Sequence, residues 1–332
     1  MQQIKCLLVT LLFLSYSLSL ASCGGGSSSG SPSLSEPRQS LAARQYLAEF
    51  LDIIQSNALT RNSVDWGHLI SEINALAADA QRIEDTYPAI TRALELIGTN
   101  HSFLNAADGS LITYPSNIFC EQSFTMQSLN ESDIGYVRVD GNYQSGIDSQ
   151  QIADEIQNDI ANQDNQDVTR WIVDLRNNLG GNMYPMIAGL GPLFDQSILG
   201  YFIDANENST PWGYRDGSSF LGGEPVVQVS QPYTVINPLP KIAVLVSKRT
   251  ASSGEATLLS FKQQFNVRFF GTDSCGLSTG NSRFQLSNGS ELFLTTGTMA
   301  DRNQFKYGER IPVDQQTGPE EALLEAVAWL KN

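Results

Sequence analysis

The chain has 332 residues, of which 41% are hydrophobic and only two are histidines. This length allows one sizeable catalytic domain with a smaller companion, and the hydrophobic share is normal for a chain that buries a core. Asp and Glu outnumber Lys and Arg by 35 to 20, so the formal charge of −15 would repel a phosphate backbone and disfavours nucleic acid as a partner.

The first residues have the pattern of a bacterial lipoprotein signal. A lysine precedes an apolar run from Cys6 to Leu20 that is short for a membrane span, and the run leads into a lipobox-like Leu-Ala-Ser-Cys ending at Cys23. We expect a signal peptide over residues 1–22 and lipidation of Cys23, with a plain secretory signal as the alternative. Gly24 favours sorting to the outer membrane. Residues 23–39 are rich in Gly, Ser and Pro and predict a flexible tether.

Residues 40–107 show helix-period apolar patterns, for example in LAARQYLAEFLDII and PAITRALELI, and predict a small helical domain. A helix over Tyr87–Ile97 is predicted to end before a loop of small polar residues that contains His101. The other histidine, His68, falls in the first turn of a helix that Asp65 would cap, which favours a capping or exposed role. His101 is therefore the better candidate for a general base.

From residue 108 onward strands alternate with helices, which predicts an α/β domain over residues 108–332. We predict a helix over Gln150–Asn162 and buried strands over Trp171–Leu175 and Ile242–Val246.

The first of these strands ends in DLRNNLGGN, after which a helix is predicted over residues 183–190. Gly180 and Gly181 carry no Cβ, so their backbone N–H groups could approach a substrate carbonyl. A tight turn with no functional role is the alternative interpretation of the Gly pair.

The second strand runs into KRTASSGE, where small hydroxyl residues precede a helix predicted over Ala256–Phe265. Ser252 and Ser253 would lie at the N-terminus of this helix, where unpaired N–H groups and the helix dipole favour an oxyanion. Ser followed three residues later by Glu255 is also the capping-box pattern, so simple helix capping is the alternative.

Taken together, these motifs resemble peptidase family S41, which includes the C-terminal processing proteases and the tricorn core proteases. The similarity extends to IGYVRVDGN (Ile134–Asn142) and to the strand-rich end of the chain. It implies a serine endopeptidase with a crotonase/ClpP-like ββα catalytic domain that needs no cofactor and cleaves unfolded or extended peptides in the cell envelope. The roles that it implies are a nucleophile at Ser252, a general base at His101, and oxyanion donors at Ser253 and at Gly180 or Gly181.

Two departures from the family pattern concern the catalytic set. C-terminal processing proteases carry a general-base lysine where this chain has Leu277, so the tricorn-like pair of Ser and His is favoured. Tricorn-like proteins carry a serine before the histidine that helps to orient its ring, whereas this chain has Asn100. The resemblance does not place the acidic member securely: Glu309 is the first choice, with Tyr307 and Asp301 as alternatives.

Only about thirty residues follow the histidine before the next family motif, which leaves no room for a PDZ domain.

Two other functions stay open on the sequence alone: a non-catalytic peptide-binding protein with the same fold, and an esterase that uses the same Ser and His. No metal or nucleotide site is predicted, because the chain has no His-Glu-x-x-His, Cys-x-x-Cys or G-x-x-x-x-G-K motif. With Cys6 removed and Cys23 lipidated, Cys120 and Cys275 could form a disulfide or stay as two free thiols.

Overall fold

The computed structural model describes residues 39–115, 118–120, 125–141 and 148–332. The predicted signal peptide, Cys23 and the predicted tether up to residue 38 lie outside the described residues. Across the described ranges, no helix has both the length and the apolar character that crossing a bilayer requires.

The elements alternate along the chain in the mixed α/β manner that the sequence predicts. The helices are α1 (Leu41–Asn57), α2 (Trp66–Leu76), α3 (Tyr87–Ile97), α4 (Ser149–Gln163), α5 (Met183–Leu190), α6 (Ser253–Phe261) and α7 (Ala322–Lys331). The strands are β1 (Phe103–Asn105), β2 (Leu111–Ile112), β3 (Ile134–Arg138), β4 (Arg170–Asp174), β5 (Ile198–Asp204), β6 (Ser209–Arg215), β7 (Ser218–Leu221), β8 (Glu224–Gln228), β9 (Lys241–Val246), β10 (Val267–Gly271), β11 (Thr279–Gln285), β12 (Glu291–Asp301) and β13 (Gln315–Gln316).

The first helices begin and end where local chemistry dictates. The side chain of Asp65 accepts the backbone N–H of His68 at 3.0 Å, so the predicted cap of α2 is confirmed, and the His68 ring is exposed beside Glu72. Helix α3 spans the predicted residues and ends at Gly98, whose φ of 67° is left-handed and costs glycine little.

A parallel sheet with strand order β13-β10-β9-β4-β3 forms the centre of the α/β region. Its central strands are buried on both faces, because side chains alternate between two cores. Ile172, Ala243 and Leu245 pack against α7, whereas Trp171, Val173, Ile242 and Val244 face the larger core with α5 and α6. Since β4 and β9 are parallel neighbours, with Asp174 opposite Leu245, the loops that follow them emerge side by side.

A second sheet, antiparallel, has the order β2-β1-β12-β5-β6-β7-β8, with β11 on the other edge of β12. Its long strand β12 pairs with β1 near Leu292 and with β5 near Met299. Leu292 and Leu294 share one hydrophobic core with the helices α1 to α3. Because β1 pairs with β12, the loop just before β1, which contains His101, is brought to the middle of this sheet.

The helix predicted over Ala256–Phe265 is shifted in the structure, where α6 spans Ser253–Phe261. It begins earlier because Ser252 has a positive φ of 53° and acts as the N-cap. It ends earlier because the chain turns at Lys262, whose ψ of 141° is extended, and Gln263 has a φ of 64°. The prediction that Ser252 and Ser253 lie at the N-terminus of this helix is confirmed, whereas the predicted C-terminal end at Phe265 was wrong.

A disulfide joins Cys120 to Cys275, with the two Cα atoms 5.2 Å apart and the cysteines separated by 155 positions. The structure therefore selects the bonded state from the two that the sequence left open. Cys275 also donates its backbone N–H to the carbonyl of Thr250 at 2.9 Å, which ties the same loop to the segment before Ser252.

We predict that replacing both cysteines by alanine lowers the thermal midpoint by several degrees. A cross-link closing a loop this long typically contributes about 2–4 kcal/mol to the free energy of unfolding, mainly by restricting the unfolded chain. Differential scanning calorimetry of the parent, with and without a reducing agent, and of the Cys120→Ala/Cys275→Ala variant would measure this. Reduction should shift the midpoint of the parent only. Equal midpoints for the oxidised parent and the variant would contradict the prediction.

Candidate active site

The loop after β4 starts from a buried ion pair. The Asp174 carboxylate accepts from Arg176 Nε at 3.0 Å and from Nη2 at 2.6 Å, and it also accepts from the Tyr136 hydroxyl at 2.6 Å. The side chains of Asp174 and Arg176 are both fully buried. Breaking such a pair by removing one partner typically costs about 3–5 kcal/mol, so the Asp-Leu-Arg segment fixes the backbone that leads to Gly180.

The loop after β9 is bound directly to the loop after β4. The hydrogen bonds that join them include Ser247 Oγ to the carbonyl of Arg176 at 2.5 Å, Thr250 Oγ1 to the carbonyl of Leu175 at 2.8 Å, and Ala251 N–H to the carbonyl of Asn178 at 2.9 Å. These bonds satisfy buried backbone carbonyls that would otherwise lack partners. The two sequence motifs singled out above are therefore one structural unit.

Ser252 lies at the tip of this unit in an unusual backbone conformation. Its φ of 53° and ψ of −116° fall in a region that non-glycine residues rarely adopt, at a cost of order 1–3 kcal/mol. A Cβ on Gly180, which has a φ of 105°, would lie only 2.9 Å from Ser252 Cβ. Only glycine at this position lets the two loops approach so closely.

A buried carboxylate, Glu255, holds the strained backbone in place. Its oxygens accept from the backbone N–H groups of Ser252 (2.8 Å), Gly276 (2.9 Å) and Leu277 (2.9 Å) and from the Ser274 hydroxyl (2.5 Å). Burial raises the pKa of Glu255 to about 7, and these hydrogen bonds oppose the rise. The capping box that the sequence suggested is present at this helix start. The N–H of Glu255 also donates to the carbonyl of Ser252 at 2.8 Å.

His101 is held by residues of β11 and β12. Its carbonyl accepts from Asn281 Nδ2 at 2.8 Å, and the neighbouring Ser102 hydroxyl accepts the N–H of Thr295 at 2.9 Å. The ring lies with Nδ1 2.9 Å from Thr279 Oγ1. Burial lowers the pKa of His101 to about 4, and a hydrogen bond to the Thr279 backbone opposes this shift.

The structure brings His101 and Ser252 to the same cavity, which has a volume of about 1360 Å³. Gly181, Ser253 and Thr279 also line it. Because Nδ1 of His101 is engaged by Thr279, Nε2 is the ring nitrogen that is available for proton exchange with another group. The second histidine, His68, is not among the residues that line this cavity.

Two of the three N–H groups suggested as oxyanion donors are open. Gly180 donates its N–H to Asn178 Oδ1 at 3.0 Å and is therefore already engaged. Within the described ranges, the N–H groups of Gly181 and Ser253 have no hydrogen-bond acceptor, and the Ser253 hydroxyl donates to the Gly181 carbonyl at 2.6 Å. That bond holds the two open donors next to each other, beside Ser252.

The residues suggested as orienting or acidic partners are not among those that line this cavity. Asn100 Oδ1 accepts from the Tyr114 hydroxyl at 2.7 Å. The Glu309 side chain is exposed, and its backbone carbonyl accepts from Ser278 at 2.5 Å. Asp301 is buried at the end of β12, where the Tyr307 hydroxyl lies 3.4 Å from its carboxylate. The hydrogen-bond partner of His101 Nδ1 is Thr279, which the sequence did not identify.

Comparisons with known proteins point to one family. A family model described as peptidase family S41 matches residues 133–315. The chain is 27% identical over 298 residues to the nisin-resistance protein of Lactococcus lactis subsp. lactis, and the alignment covers 87% of each chain.

Solved structures agree at the level of the fold. A lipoprotein from Streptococcus agalactiae superposes with a TM-score of 0.69 at 24% identity, covering 87% of this chain and 96% of that one. The photosystem II D1 C-terminal processing protease superposes with a TM-score of 0.57 at 16% identity, covering 87% and 97%. The mixed α/β fold expected from the sequence is confirmed by these similarities.

We predict that the imidazole of His101 titrates with a midpoint near pH 4, well below the reference of about 6.5. Because the folded state favours the neutral ring, this group stabilises the fold above pH 6.5 or so, and the contribution is lost as the pH falls through about 4. A ¹H–¹⁵N correlation titration, with His68→Gln to assign the two rings, would measure it. A midpoint at 6.5 for His101 would show a solvated ring and contradict the burial seen here.

Proposed function

Because the chain belongs to peptidase family S41, whose model matches more than half of it, we propose that it is a serine endopeptidase that cleaves unfolded or extended peptides in the bacterial cell envelope. One observation carries the proposal: Ser252 and His101, far apart in the sequence, line the same cavity. The open N–H groups of Gly181 and Ser253 at the same wall are the donors that acyl transfer needs.

In the proposed reaction the Ser252 hydroxyl attacks the carbonyl carbon of a peptide bond while His101 Nε2 accepts the hydroxyl proton. The oxyanion that forms accepts hydrogen bonds from Gly181 and Ser253. His101 then returns the proton to the leaving amine, and the C–N bond breaks. A water molecule releases the acyl group by the same sequence of proton transfers, which restores the Ser252 hydroxyl.

An extended substrate is supported by the wall that leads to Ser252. The cavity is lined by six consecutive residues of β11, from Thr279 to Phe284. Because successive side chains of a strand point to opposite faces, a cavity that touches all of them borders the edge of the strand. In the described part of the chain β11 pairs with β12 alone, so an extended peptide could add to this edge through main-chain hydrogen bonds.

The proposed location is the cell envelope. A lipid on Cys23 would anchor the enzyme, which would face the periplasm or the cell surface. The lipobox-like sequence supports this location, as does the description of the Streptococcus agalactiae relative as a lipoprotein. The Lactococcus relative is named for resistance to nisin, so nisin belongs in the substrate panel beside unfolded casein.

We predict that Ser252→Ala and His101→Ala each reduce cleavage of unfolded casein or nisin by at least about a thousandfold, because nucleophile and base act as a unit. Ser260→Ala is the matched control, since Ser260 lies on the same helix and does not line the cavity. Mass spectrometry should find a fluorophosphonate adduct on Ser252 in the parent and in Ser260→Ala, and in neither Ser252→Ala nor His101→Ala.

The same assay separates the alternatives. A parent that neither cleaves peptides nor gains the adduct would be a peptide-binding protein and would contradict the proposal. A parent that hydrolyses small acyl esters but leaves every peptide intact would be an esterase. Cleavage by Ser252→Ala at the parent rate would remove Ser252 from the mechanism.

We also predict that N-methylation of a substrate backbone weakens cleavage with a period of two residues. Every second N–H of a strand added to β11 would donate to that strand, and methylation at such a position should raise KM about tenfold, as expected for one lost hydrogen bond. Methylation at the positions between them should have little effect. A set of singly methylated peptides with one known cleavage site would measure the pattern. If methylation weakened cleavage to the same extent at successive positions, the result would contradict docking of the substrate on β11.

A further inference from the structure

We propose that Thr279 is a positioning residue for His101. Its uncharged hydroxyl takes the place that a carboxylate holds in a Ser-His-Asp triad. The Thr279 hydroxyl accepts the Nδ1–H of His101 and so keeps the proton off Nε2, the nitrogen that faces the reaction. This inference rests on the proposed peptidase function and deepens it by naming what orients the base.

The distance of 2.9 Å between His101 Nδ1 and Thr279 Oγ1 is the contact on which the proposal rests. A hydroxyl can donate or accept, so this distance alone leaves the tautomer open. The proposal takes the orientation in which Nδ1 carries the proton and Thr279 Oγ1 accepts it, because this leaves Nε2 without a proton, as a general base requires.

Thr279 is itself held firmly. Its N–H donates to the carbonyl of Leu277 at 2.8 Å, and it lies opposite Thr298 of β12. Two residues further along β11, Asn281 binds the His101 carbonyl, and its Oδ1 accepts from Thr295 Oγ1 at 2.9 Å. The ring and the main chain of His101 are thus held by the same strand, across the β-bulge between Gly280 and Asn281.

A hydroxyl orients the imidazole but adds no negative charge beside it. The protonated ring therefore gains no ion pair, and the pKa stays near 4 as burial dictates. A base of this kind is neutral, and able to accept a proton, across the whole range above about pH 5. A carboxylate at the same position would raise the pKa and narrow that range at its acid end.

The test compares Thr279→Val, which removes the hydroxyl at nearly constant shape, with Thr279→Ser, which retains it. We expect kcat of the Val variant to fall roughly 10- to 100-fold, as for one lost hydrogen bond, with KM unchanged, and the Ser variant to stay close to the parent. Thr298→Val, which removes a hydroxyl from the paired strand outside the cavity, should also match the parent.

A charge variant and a spectroscopic readout separate positioning from mere packing. Thr279→Asp should move the acid limb of the kcat/KM profile to higher pH, because a carboxylate stabilises the protonated ring. ¹⁵N NMR of the His101 ring should show the proton on Nδ1 in the parent and a shift of the tautomer balance toward Nε2 in Thr279→Val.

Two results would overturn the proposal: a Val variant with parental kcat and an unchanged tautomer, or a parent ring protonated on Nε2. Because the NMR measurement needs no turnover, it decides the role of Thr279 even if the parent cleaves no peptide. That last outcome would defeat the proposed function instead.

Discussion

The buried carboxylate of Glu255 is the interaction on which the geometry of the site depends. It gathers donors from the start of α6 and from residues 274–277. A buried charge is tolerable only when its oxygens are fully hydrogen-bonded, so each donor must stay in place. The strained backbone of Ser252, the loop before β11 and the disulfide at Cys275 are thereby linked into one rigid assembly.

The two sheets make different contributions to the site. The parallel sheet places the loops after β4 and β9 side by side, which brings Gly180 and Gly181 to Ser252. The antiparallel sheet brings His101 to β11, which supplies the contacts to its ring and carbonyl. The shared cavity lies where these contributions meet. Neither sheet alone positions both Ser252 and His101.

Much of the fold was predictable because its signals are local. Apolar periodicity located the helices and the buried strands, and the Gly pair and the Ser-x-x-Glu spacing located the two loops. The partner of the His101 ring was not predictable, because the contact with Thr279 spans 178 positions and depends on a β-bulge that no local pattern announces. The exposure of Glu309 and the bond between Asn100 and Tyr114 are likewise set by tertiary packing rather than by spacing.

The absence of a side chain on Gly180 couples two loops that are distant in the sequence. Any added carbon there would collide with Ser252 Cβ or with the carbonyl of Ala251, at 2.9 and 3.0 Å. A side chain at Gly180 is therefore tolerated only if the loop that carries Ser252 shifts with it. Sequence drift at the two motifs should be correlated, and a library that randomises one loop alone would yield few functional members, whereas joint randomisation could recover compensated pairs.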